Sequence, residues 1–150
     1  MDSIKIETGE KRLCINDDPE RVITFNPSDL LFAEKFYQML GDVDSKMTEY
    51  QRQAEALEAD KEKDANDIPV NMQARFDLLR PTCDYSRSMI DSIFGDGTSQ
   101  MVFGDSLNLD AFSQFFDGIT PYFKTARAAK VAQYIPTSQK PARGTGRKHK

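Results

Sequence analysis

A chain of 150 residues with a net charge of −4 and 29% charged residues is long enough for one domain. Leu, Ile, Val and Phe supply only 33 of those residues, so the core is modest and part of the chain lies outside it. No window holds the roughly 18 consecutive apolar residues of a membrane span, and the opening "MDSIKIETGEKRL" has no apolar run of the kind a secretory signal needs.

The start reads as strands. In "SIKIETGEKRLCIN", Ile4 and Ile6 alternate with polar residues, as do Leu13 and Ile15, and "ETGEK" supplies a glycine turn between them. "ERVITF" offers a third strand with β-branched Val22, Ile23 and Thr24. "FNPSDLLFAEKFYQMLG" then opens a helix, with Asn26 as its cap, Pro27 at the first helical position and Asp29 in the first turn. Phe25 is placed to staple onto Leu30 or Leu31.

Phe36, Leu40, Val43, Met47, Tyr50, Ala54 and Leu57 follow one another at alternating spacings of four and three, a heptad-like seam that runs through Gly41. From Glu55 the other faces are almost wholly charged. So narrow a stripe suits a helix that pairs with one other helix, either in its own domain or on a partner. "DKEKDANDIP" reads as a solvated helix end and loop.

In the next helical region Met72, Phe76, Leu79, Cys83, Ile90 and Ile93 fall mostly on one face, and Pro81 is expected to kink or split it at Arg80. Then comes "FGDGTSQMVFGDS", in which Phe-Gly-Asp recurs. Gly95 and Gly104 read as helix ends, with Phe94 and Phe103 anchoring those ends and Thr98 or Ser99 capping a short helix between them. Asn108 caps another helix that Gly118 ends, and Thr120-Pro121 begins a last one, "PYFKTARAAKVAQYI". Phe112, Phe115, Phe116, Tyr122 and Phe123 are dense here and read mainly as core.

The motifs that carry chemistry are weak. Counting a calcium loop from Asp91 puts Ile93 at its third ligand position, and counting from Asp105 puts Leu107 there. No Gly-Lys-Ser/Thr ends a phosphate loop. His149 is the sole histidine, and Cys14 and Cys83 stand in no motif, which leaves no nucleophile–histidine pair or His-based zinc site in the folded part and makes two free thiols the expectation. No catalytic, cofactor or metal residue is therefore assigned, and the chain is read as a binding protein. Its charge is divided: residues 1–123 hold all 24 acids and 12 of the 20 bases, whereas residues 124–150 hold eight bases and no acid. A tail of this kind touches anionic surfaces in some proteins, although "KPARGTGRKHK" has no interleaved aromatics for stacking on bases.

The expected architecture is α+β: a small N-terminal β-hairpin or three-stranded sheet, a mostly helical body of five or six helices through residue 135, and a disordered basic tail over 136–150.

Three stretches, "INDDPERVITFNPSDLLFAEKFYQML", "MIDSIFGDGTSQMVFGDSLNLDAFSQFFDGITPYF" and "ARAAKVAQY", together resemble a small-protein family encoded in the tail modules of long-tailed phages and prophages of Gram-positive bacteria, the tail assembly chaperones. "FGDGTSQMVFGD" is the most specific of them. The resemblance implies a cofactor-free helper in the host cytoplasm that is absent from the mature virion. It would coat the tape measure protein, keep it soluble and present it to tail tube subunits. Separately, an N-terminal hairpin with an open edge can add to a neighbour's sheet, which gives self-association as an expectation from the residues themselves. The family supplies no defined binding motif, so no residue role is carried over. The seam Phe36, Leu40, Val43, Met47, Tyr50, Ala54 and Leu57 is the expected partner-binding face. The rival expectations are a structural tube or connector protein of the virion and a nucleic-acid binder working through the basic tail.

Overall fold

The computed structural model of the chain describes residues 1–134, with side chains through residue 124. It has a two-stranded N-terminal hairpin followed by a mostly helical body. The expected basic tail over 136–150 lies outside the described residues.

The hairpin joins β1 (Lys11–Ile15) to β2 (Asp18–Phe25) in antiparallel register, with Lys11 opposite Phe25 and Leu13 opposite Ile23. Asn16 and Asp17 turn the chain, both at positive φ. This is the backbone a tight hairpin turn demands, and Asn and Asp tolerate it best after glycine. The expected pairing of the Ile4–Ile6 stretch with Leu13–Ile15 is therefore corrected: the strand "ERVITF" takes that place, and residues 1–10 form no strand. The reason is local. The Asn26 amide donates to the Thr8 carbonyl at 2.7 Å, and Gly9 at φ 85° passes so close to Ser28 that a Cβ there would lie 2.6 Å from its hydroxyl oxygen. The segment is thus held beside the exit of β2 rather than folded back along β1.

Helix α1 (Leu30–Glu58) begins later than expected. Asp29 rather than Asn26 is the cap, accepting from the Leu31 N–H at 3.0 Å, while Asn26 accepts from the Ser28 N–H in the preceding turn. The staple does not form: Leu30 and Leu31 are exposed, and Phe25 packs instead against Phe94, Tyr122 and Phe123. Gly41 is carried within the helix.

Helix α2 (Met72–Phe94) runs back antiparallel to α1, and Pro81 does not split it. A proline inside a helix costs about 3 kcal/mol. Burial of Thr82, Cys83, Ser86 and Ile90 along the following turns offsets that cost. The buried hydroxyls are satisfied within the helix, Ser86 donating to the Thr82 carbonyl at 3.1 Å.

Helix α3 (Thr98–Phe103) is short, and α4 (Leu109–Tyr134) is long. Asn108 caps α4 as expected, accepting from the Asp110 N–H. Gly118 does not end the helix and Pro121 does not begin another; α4 passes through both, so the described residues contain four helices rather than five or six. The tertiary reason is the continuous row Phe112, Phe115, Phe116, Ile119 and Phe123, all buried on one face. That packing overrides two weak stop signals. Tyr122, grouped with these residues in the sequence, lies partly exposed.

Around this row the body closes on an aromatic core. Phe36 stacks on Phe123, and Phe94 sits edge-on to Phe25, Phe32, Phe36 and Phe115. The outer halves of α1 and α2 extend from this base as a two-helix arm, closed at its tip by residues 59–71. Asn71 and Arg75 both donate to the Leu57 carbonyl there.

Candidate protein-interaction surface

The glycine-rich motif of the sequence is punctuation between helices. Phe94 and Phe103 end α2 and α3 and turn their rings into the core. Gly95, Gly97 and Gly104 take positive φ at the joints. The capping differs from the expectation, because neither Thr98 nor Ser99 caps its own helix. The Asp91 carboxylate reaches from the last turn of α2 to accept from both the N–H and the hydroxyl of Ser99, at 2.7 and 3.1 Å. Each carboxylate oxygen is committed to a protein donor. Among the described residues no group of three or more His, Cys, Asp or Glu side chains could hold a metal ion.

The seam of α1 divides into two halves. Phe36 and Val43 are buried, and Leu40 and Met47 pack against the same core. Phe36 and Val43 are thus covered within their own chain, and Leu40 and Met47 are covered in part. Tyr50, Ala54 and Leu57, further along the arm, are only half-buried and lie outside the core cluster.

The opposite wall shows the same gradient. In α2, Ile90 and Cys83 have no exposed surface, Leu79 is half-buried, and Phe76, one heptad before Cys83, is 55% exposed. A phenylalanine in the register of a buried seam yet more than half in solvent marks an interface that one facing helix does not fill. Ile68 and Val70, at the arm's tip, are exposed as well. The rest of the arm is strongly polar: Glu49 is paired with Arg52 and Gln53, and the hydrogen bonds from these two side chains hold its carboxyl below the usual glutamate range. Lys46 lies 5.2 Å above the Tyr85 ring and ties α1 to α2 on the outside. Phe76 was legible in the sequence as a seam residue; its exposure was not, because it depends on what α1 sets opposite it.

A second surface, of mixed polar and apolar lining, lies under the hairpin. A cleft of about 490 Å³ is lined by Leu13, Ile15 and Ile23 from the strands, Val102 and Phe103 from α3, and Ile119 from α4, among others. Arg21 crosses it to donate to the carbonyls of Met101 and Val102, which fastens the hairpin to the end of α3. Cys14 is exposed on β1, and Cys83 is buried on α2; both are free thiols. Burial pushes the Cys83 thiol above its ordinary range, with Asp84 adding to the shift. No helix among the described residues is long and apolar enough to cross a membrane.

These features define a small α+β protein with a polar two-helix arm and a half-open apolar seam. The chain belongs to DUF6673, a family of unknown function whose model matches residues 20–150. No curated protein and no solved structure matches it.

Proposed function

We propose that the chain is a tail assembly chaperone that binds the tape measure protein of a long-tailed phage, keeps it soluble and helps recruit tail tube subunits. The observation that carries this reading is the seam that stays open along the arm. Tyr50, Ala54 and Leu57 on α1 are only half-buried, and Phe76 on the antiparallel α2 is more than half exposed. A third amphipathic helix laid along that seam would cover them, and a tape measure protein is a long succession of such helices. The charged outer faces of the arm would keep the complex in solution once the client's apolar stripe is covered.

The likeness of "FGDGTSQMVFGD" and its flanking stretches to the tail assembly chaperones supports the same reading. The chain acts by binding, without cofactor or turnover, in the host cytoplasm and outside the finished particle. Many weak copies along one client would gain avidity from repetition.

The test is co-expression with the tape measure protein of the same tail module, followed by affinity capture and a solubility assay. The expected outcome is a soluble complex with several copies per client. A client that stays insoluble, with this chain recovered instead in intact particles by mass spectrometry, would make it a structural tail protein.

A further inference from the structure

The hairpin is an incomplete sheet. Two strands alone are marginal in water, and β2 is flanked by α2 and α3, so β1 carries the open edge with its unpaired backbone groups. The same chain holds a segment patterned as a strand and paired with nothing. Ile4 and Ile6 alternate with Asp2–Ser3, Lys5 and Glu7, and they stand 87% and 75% exposed. The chain's own β1 is denied this segment by the Thr8–Asn26 hydrogen bond and the close passage of Gly9 over Ser28, which direct residues 1–7 away from it.

We infer that this N-terminal segment pairs with a second copy of the chain, adding as a third strand to that copy's β1 edge, with Ile4 and Ile6 entering the cleft beneath its hairpin. Three features fit this occupant. The alternation of the segment matches that of β1, where Leu13 and Ile15 are half-buried and Cys14 between them is exposed. The cleft has about 490 Å³ of space, and no heavy atom lies within 4 Å of a Cβ built on Gly118 in its wall. The charges are complementary: residues 1–10 carry Asp2, Glu7 and Glu10 against Lys5, whereas β1 begins with Lys11 and Arg12. Backbone pairing would supply the affinity, and the two isoleucines the register. The surface is separate from the arm seam, so it links copies without occupying the client groove.

The test is the mass of the full chain in solution by light scattering across a concentration series. The expected result is a rise from the monomer mass of 17.0 kDa to at least twice that value. Ile4→Lys with Ile6→Lys, and separately removal of residues 1–7, should hold the chain at monomer mass with its helical circular dichroism unchanged, because these residues touch no core. A second measurement uses native Cys14 as the reporter. With Lys5→Cys or Glu7→Cys, mild oxidation should give a covalent dimer that disappears when Cys14→Ser is added. A wild-type chain that stays at 17.0 kDa throughout, a chain lacking residues 1–7 that associates like the wild type, or a disulfide formed only within one chain would each overturn the inference.

Discussion

The ring of Phe36 lies on that of Phe123, with centroids 4.1 Å apart and planes 3° from parallel. Both are without exposed surface, and they join α1 to α4. Phe36 belongs to the seam of α1 and Phe123 follows Pro121 in α4, so one contact explains why half of the seam is taken inside the molecule and why α4 continues past a proline.

Truncating either ring should therefore be severe. Phe36→Ala or Phe123→Ala is expected to lose about 3–5 kcal/mol of stability, read as a shift in the urea midpoint. The two losses should not add, because the partners share one contact. Full additivity in the double variant would mean that the rings act independently.

Arg21 is the fastening of the hairpin. Its guanidinium supplies the donors for the Met101 and Val102 carbonyls at the end of α3. Arg21→Ala should cost about 1–3 kcal/mol through unsatisfied carbonyls. Arg21→Lys should recover only part, since an ammonium cannot reproduce the planar fork. Amide exchange should accelerate in β2 and α3 before it does in α2.

Asp91 caps α3 from outside that helix. Asp91→Ala should cost about 1–2 kcal/mol and expose the Ser99 amide to exchange, whereas Asp91→Asn, which keeps an acceptor oxygen, should cost less. An unchanged Ser99 protection factor in the alanine variant would remove Asp91 from this role.

The two thiols should separate cleanly. Cys14 is exposed, and Cys83 is buried with its thiol pushed above the ordinary range. Only the thiolate is nucleophilic, so iodoacetamide at neutral pH should label Cys14 in the native protein and reach Cys83 only on unfolding. Equal labelling of both would show that the α1–α2 interface opens readily.

Much of the fold was legible because its signals are local and repeated. The seam from Phe36 to Leu57 marked α1, and Asn108 marked the start of α4. The glycines after Phe94 and Phe103 marked the ends of α2 and α3. What failed depended on the choice of partner. Ile4 and Ile6 have the alternation of a strand, but alternation does not say which edge will accept it, and the Asn26 side chain decides against β1. Gly118 and Pro121 are stop signals only where nothing packs across them, and Phe116, Ile119 and Phe123 do. The candidate surface was half legible for the same reason: spacing places Tyr50, Ala54 and Leu57 in line with Phe36, and only the tertiary packing divides the buried end of that line from the open one.

The most direct test of the proposed function is to place charge in the open part of the seam and ask whether the client is lost while the fold is kept. Tyr50→Lys and Phe76→Lys, alone and together, would be co-expressed with the tape measure protein. Both sites are at least partly in solvent, so the helical circular dichroism and the urea midpoint should stay near the wild type. The double variant should leave the tape measure protein in the insoluble fraction, whereas Lys63→Glu on the polar tip of the arm should leave it in solution. A folded double variant that keeps the client as soluble as the wild type does would contradict the account, because it would mean that the open seam is not where the client binds.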